Sequence, residues 1–160
     1  MKNKQRNVFI SHYGQDDHDV QNLKSLMDRN GYTLRNASID STKPNDATNE
    51  HYIKYSLLKP GINWAGKLIV LIGEKTHTRP WVNWEIEQAQ KLGTPIIGVY
   101  RNGLQQKDIQ LPEAFEKFGN ALVGWRGDRI INAIEGKINN FQNSDGTPYG
   151  SIWGTLRSTC

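Results

Sequence analysis

Three runs of the chain are apolar at nearly every position rather than at alternate ones: Val8-Phe9-Ile10, Leu68–Ile72 and Ile96–Val99. A strand with one wet face alternates. Continuous runs of this length therefore read as strands covered on both faces, the condition of a parallel sheet sandwiched between helices. With two shorter stretches the set of strands becomes Asn7–His12, Thr33–Ile39, Lys67–Ile72, Pro95–Tyr100 and Ala121–Trp125.

Helix-period segments lie between them. Val20, Leu23 and Met27 follow the Asp16-Asp17 cap signal, and Gly31 stops that helix. Ile53 and Leu57 mark a second, closed by Pro60-Gly61; Val82, Ile86 and Ala89 mark a third, opened by Pro80 and closed by Gly93. Leu111, Phe115 and Phe118 give a short fourth, and Ile131, Ile134 and Ile138 a fifth behind Asp128. Strict β-α alternation gives the α/β class. Five strands in one domain fit the flavodoxin-like order 2-1-3-4-5, with helices on both faces of a parallel sheet. The domain is expected over residues 1–142. Residues 143–160 read as an irregular tail, with Tyr149, Ile152 and Trp153 as docking anchors.

Composition narrows the function classes. A chain of 160 residues with 36% apolar content supports one domain rather than two full ones. Its longest apolar run has five residues, Leu68–Ile72, far short of a membrane span. The basic start, Met1 to Arg6, passes into a strand-like segment without a small-residue cleavage site, so no signal peptide is expected. The single cysteine, Cys160, has no partner, and no zinc-ligand cluster exists; a reducing, cytoplasmic setting fits. The charge of +4 is scattered rather than run together, which speaks against a nucleic-acid tail.

In an open α/β sheet ligands bind outside the carboxyl ends of the strands, at the switch point between strands 1 and 3. The segments to inspect are Ser11-His12-Tyr13-Gly14, Ser38-Ile39-Asp40 and the stretch from Gly73 to Glu85. Neither G-x-x-x-x-G-K-[ST] nor G-x-G-x-x-G is present, and there is no G-x-S-x-G nucleophile elbow. Strands 1 and 3 end in His12 and Gly73 rather than the aspartate a phospho-acceptor needs.

One acid remains out of place. On a wheel of ~100° per residue with Trp81 at ~0°, Glu85 falls at ~40° and Leu92 at ~20°. Ala89, Val82 and Ile86 follow at ~80°, ~100° and ~140°, so Glu85 shares the apolar arc. Asn83, Glu87, Gln90 and Lys91 take the other side. Glu85 is either a carboxylate favoured near a helix amino terminus or a functional group facing the crevice. Trp81 is either core or a stacking wall, and Trp84, outside the arc, reads as partly exposed. His12 is a ligand contact or a satisfied structural histidine, Asp40 a ligand contact or a loop cap, and Tyr52 and Tyr55 packing or surface residues.

The same residues carry a resemblance. Val8-Phe9-Ile10-Ser11-His12 resembles the first-strand box of Toll/interleukin-1 receptor (TIR) domains, and Trp81-Val82-Asn83-Trp84-Glu85 their tryptophan–glutamate signature. The loop Asp40–Thr48 stands where that family has its variable loop. More narrowly, Phe9–Tyr13, Asn36-Ala37-Ser38, Val70–Gly73 and Arg79–Ile86 resemble the TIR-like proteins of bacterial Thoeris anti-phage systems, over about residues 6–140. His12-Tyr13 departs from the usual acidic continuation of the first box.

The resemblance implies a TIR-like fold and a catalytic role for Glu85 in cleaving the nicotinamide–ribose bond of NAD⁺. NAD⁺ would be substrate, with no resident cofactor or metal. Trp81 would wall the nicotinamide, and Ser11, His12, Tyr13, Ser38 and Asp40 would contact ribose or phosphate. It also implies a cyclic or conjugated ADP-ribose messenger, a separate effector protein, a phage-derived trigger and self-association through the loop after strand 2. Nucleic acid and membrane are not expected partners. Two rival readings stand beside it: a non-enzymatic TIR interaction module, and a nucleoside deoxyribosyltransferase-like enzyme with a glutamate nucleophile.

Overall fold

The computed structural model describes residues 4–37, 59–104 and 109–149. Its strands are β1 (Lys4–Ser11), β2 (Tyr32–Asn36), β3 (Lys67–Ile72), β4 (Ile96–Tyr100) and β5 (Ala121–Val123). They form one sheet in the order β2-β1-β3-β4-β5, and every pairing is parallel. Strand β1 sits centrally, with Val8 opposite both Asn36 of β2 and Lys67 of β3. The helices are α1 (Asp17–Arg29), α2 (Lys59–Trp64), α3 (Pro80–Lys91), α4 (Glu113–Phe118) and α5 (Gly127–Ile134).

The period of two sorts the continuous apolar runs between two cores. Val8 and Ile10 of β1, Ile69 and Leu71 of β3, and Ile97 and Val99 of β4 meet α1 and α5 through Val20, Leu23, Met27, Ile130 and Ile134. Phe9, Leu68, Val70, Ile72 and Ile96 point the other way, onto Ile62 of α2, Val82, Ile86 and Ala89 of α3, and Phe115 of α4. Each run is apolar throughout because each of its sides meets helices. Gly98 is the exception that close packing requires: a Cβ there would sit 2.5 Å from Phe115 Cζ and 2.8 Å from Leu122 Cδ1.

Several sequence expectations are corrected. Pro60-Gly61 lies inside the described helix Lys59–Trp64. A Cβ on Gly61 would stand 3.1 Å from the Ala37 carbonyl oxygen, so glycine lets this helix approach β2. Ile53 and Leu57 lie outside the described residues. The fifth helix ends at Ile134, and Ile138 packs on the core from beyond it. Asp16 and Asp17 do not cap α1, because their carboxylates are engaged with other side chains. Gly31 and Gly93 do end their helices, each with a φ of +73° that glycine adopts without strain.

The far edge of the sheet is closed by the chain itself. Leu122 N–H donates to the Asn140 carbonyl at 3.1 Å, and Gln142 N–H to that of Leu122 at 2.8 Å. Gln142 then bridges Pro148 antiparallel, and Tyr149 packs edge-on against the Phe141 ring at 6.0 Å. Tyr149 is thus an anchor; Ile152 and Trp153 lie outside the described residues. Replacing Gly98 with alanine should drive a methyl group into Phe115 and Leu122. We expect a loss of about 1–3 kcal/mol, read as a lower urea midpoint with an unchanged m-value.

Candidate active site

The site begins where β1 runs out. Ser11 is its last residue and is 1% exposed. His12 follows, buried, with Nδ1 3.0 Å from the Ile10 carbonyl oxygen and Nε2 2.5 Å from Asp17 Oδ1. Two acceptors therefore face its two ring nitrogens, and the ring pins the turn between β1 and α1. Beside it β3 ends at Gly73, whose N–H donates to Thr76 Oγ1 at 2.8 Å. That hydroxyl donates in turn to the Leu71 carbonyl at 3.2 Å. The turn Thr76–Thr78 leads to Pro80, which opens α3 with its φ already helical.

Glu85 enters from the second turn of α3, on the face that carries Val82, Ile86 and Ala89. It is 4% exposed, and its Oε1 accepts the Ser11 hydroxyl at 2.6 Å. The contact joins residues 74 positions apart across the switch point between strands 1 and 3. Burial pushes the Glu85 carboxyl up to about 8; the Ser11 hydrogen bond pulls the other way and only partly offsets it. Among the described residues no cation opposes the shift. At neutral pH the resting carboxyl is mostly protonated.

Aromatic and basic side chains border this acid. Trp81 is 38% exposed, so it lies on the rim rather than in the core. Its indole Nε1–H points at the His12 carbonyl oxygen over a long 3.4 Å. Leu92, also placed in the arc by the wheel, is 47% exposed because α3 stops one residue earlier. Trp84 is half-buried against the helix-side core. The Arg79 guanidinium lies 4.3 Å from the Tyr13 ring centroid and 5.6 Å from that of Trp81.

A cleft of about 280 Å³ opens next to Tyr13, lined also by Asp16, Glu74, Lys75 and Arg101. Arg101 closes its floor, with Nε 3.0 Å from Asp19 Oδ2 and Nη1 3.5 Å from Asp16 Oδ1. Gly73 leaves room for that bridge, since a Cβ there would meet both Arg101 Cδ and Asp16 Oδ2 at 2.8 Å. Burial raises the Asp16 carboxyl above its ordinary value, and Arg101 offsets part of the rise.

The structure thus brings Ser11, His12, Tyr13, Trp81 and Glu85 to one end of the sheet, while Ser38 and Asp40 lie outside the described residues. Glu85 does not line the Tyr13 cleft. Sequence reasoning missed Arg79 and Arg101. Arg101 could have been found as the residue just past Tyr100, at the carboxyl end of a central strand. Arg79 stood two places before Trp81 in a segment already singled out. Among the described residues no group of His, Cys, Asp and Glu is arranged to hold a metal ion.

Comparison with known proteins adds three findings. The sequence profile of the family described as "Thoeris protein ThsB, TIR-like domain" matches residues 9–106. No curated protein matches. Among solved structures, a conserved protein from Enterococcus faecalis V583 overlays with a TM-score of 0.54 at 13% identity, covering 85% of this chain and 99% of that one. A 2-deoxyribosyltransferase from Bacillus psychrosaccharolyticus overlays at 0.52 and 13% identity, covering 78% and 90%. The TIR domains of the Roq1 resistosome give 0.41 at 17% identity, over 59% and 57%. The first two likenesses are likenesses of fold.

The raised Glu85 carboxyl has a thermodynamic consequence. The folded chain holds its proton up to about pH 8, whereas the unfolded chain releases it near the ordinary value of 4.5. Stability attributable to this group is therefore fully present below about pH 4.5 and lost as pH rises to about 8. Urea titrations of wild type and Glu85→Gln across that range should diverge by up to a few kcal/mol, with the variant the more stable above pH 8.

Proposed function

The chain belongs to the TIR-like domain family of the Thoeris protein ThsB, and we propose that it is an NAD⁺-consuming enzyme of anti-phage defence. It breaks the nicotinamide–ribose bond and passes the ADP-ribosyl group to water or to another group of a nucleotide. The product is an ADP-ribose-derived messenger, formed on a phage-derived trigger and read by a separate effector protein. One observation carries this reading: a glutamate turned inward at the switch point, held by the Ser11 hydroxyl, with no ion pair to a basic side chain among the described residues.

So sparse a site suits this bond. An ordinary glycoside needs a second carboxyl group to protonate its leaving oxygen. The nicotinamide of NAD⁺ is already cationic; the C1′–N electron pair leaves with the ring, which departs neutral, so no general acid is required. What the reaction does need is an anion beside C1′ as positive charge develops on the ribose, and ionised Glu85 supplies it. The cationic ring of the substrate favours that ionised form, working against the burial that keeps the resting group protonated. Trp81, at the rim and hydrogen-bonded to the chain at His12, offers a flat wall to the nicotinamide. Ser11 orients the carboxyl group and holds down its proton affinity. Glu85 is 4% exposed, so substrate would reach it only through a rearrangement of the site, in keeping with an enzyme that acts on a trigger.

The overlay with a 2-deoxyribosyltransferase favours a second reading, transfer between nucleosides with Glu85 as nucleophile. The two readings part on substrate.

Protein purified from phage-challenged cells and given NAD⁺, and separately given deoxynucleosides, should release nicotinamide from the first and exchange no bases in the second. Glu85→Gln should lose at least about a thousandfold in rate while keeping its fold by circular dichroism. Ordinary turnover in that variant removes Glu85 from the mechanism. The kcat/KM profile should rise with pH and level off near 8, where the free carboxyl ionises. Ser11→Ala should move that limb to higher pH. Nucleotide mass spectrometry of cells expressing the protein, with and without phage challenge, identifies the product.

A further inference from the structure

Arg79 is the one guanidinium of the site region left without a counter-charge. Arg101 is held by Asp16 and Asp19, and Arg6, on the far side of the sheet, by Glu135. The Arg79 side chain makes no ion pair among the described residues, and its Nε–H is buried with no acceptor. Buried donors are nearly always satisfied, so an orphan of this kind calls for an explanation. The Arg79 guanidinium carbon lies over the Tyr13 ring at 4.3 Å and over the Trp81 ring at 5.6 Å, contacts with π-faces that use up none of its N–H groups as hydrogen-bond donors. An arginine positioned in this way is built to receive a planar, bidentate anion.

The neighbouring surface says which anion. The Tyr13 ring that supports Arg79 is also a wall of the 280 Å³ cleft, and Lys75, likewise without an ion pair among the described residues, stands on that cleft. Arg79 against the Tyr13 ring and Lys75 on the cleft which that ring lines put two cations beside one cleft, which Asp16 and Glu74 also line. Cations and carboxyl acceptors around one cleft suit a phosphate group joined to a sugar with free hydroxyls. Taking the reading of Glu85 above as its starting point, we propose that Arg79 is the phosphate-recognition residue of this site, seating the diphosphate of a dinucleotide between Glu85 and the Lys75 cleft. A nucleoside lacks that group. Arg79 thus sets the preference for dinucleotides over nucleosides, and it acts on binding rather than on the bond that breaks.

Calorimetry on the full chain tests this without reliance on turnover, using ADP-ribose, ADP and adenosine as probes. Arg79→Gln should weaken ADP-ribose and ADP about tenfold to a hundredfold, the loss of charge-assisted hydrogen bonds, and leave adenosine unchanged. Arg79→Lys keeps the charge but not the fork, so it should recover part of the loss; it also serves if the glutamine variant fails to fold. Raising the salt concentration should weaken ADP-ribose in wild type more than in Arg79→Gln. Equal binding by wild type and both variants, tighter binding by Arg79→Gln, or no ADP-ribose binding by wild type at millimolar concentration overturns the proposal. Nicotinamide release measured in parallel separates the two roles: Glu85→Gln loses kcat, whereas Arg79→Gln raises KM and regains rate at saturating NAD⁺. Arg79-dependent binding without NAD⁺ turnover would sink the enzymatic reading and leave this one standing.

Discussion

A carboxyl group loses its hydration when it is folded away from water, and the chain contains two glutamates that meet this cost in opposite ways. Glu135, at the foot of the sheet, feels burial first, yet hydrogen bonds from Arg6 and Tyr32 outweigh it and hold the group below its ordinary value. That glutamate is a rivet between α5 and the starts of β1 and β2. Among the described residues Glu85 has only the neutral Ser11 hydroxyl as a hydrogen-bond partner, and its proton affinity rises instead. The first arrangement contributes stability. The second gives some away, and a fold keeps such a feature only if surrounding packing over-determines it. Fully buried Val82, Ile86 and Ala89, on the same face of α3, supply that packing.

The rest of the site follows from where α3 can enter. Its amino end lies against the end of β1 only because β1 and β3 are neighbours, which the parallel order with a central β1 imposes. The polar groups around it hold the loops in register. His12 ties the β1 exit to Asp17, Arg101 ties the β4 exit to Asp16 and Asp19, and Thr76 folds the β3 exit back on Leu71. Three strand ends are thereby fixed by side chains rather than by long elements, so the crevice is built on a rigid floor with a less constrained rim at Trp81.

Much of the fold was legible because continuous apolar runs have one structural meaning in a chain that also carries helix-period segments. The inward face of α3 was legible for a similar reason: a wheel reports angles faithfully within a regular helix. It fails at the ends. Trp81 and Leu92 sit within the arc by angle, yet one lies at the first turn and the other past the last, where the neighbouring layer no longer covers them. Pro60-Gly61 looked like a stop because their preference for turns is strong, yet both lie inside the helix Lys59–Trp64, where close approach to Ala37 suits glycine. Asp16 and Asp17 looked like caps, and only the tertiary arrangement shows which distant cation or imidazole claims each. The partnership of Ser11 with Glu85 was beyond reach in the same way, since no spacing within a strand or helix links them.

The turn from Phe141 to Tyr149 has an effect beyond the domain. By lying along β5 and ending in Pro148, which has no N–H to offer, it finishes the sheet on that side with a residue unable to extend the ladder. A strand approaching on that flank would find no N–H at Pro148 to pair with.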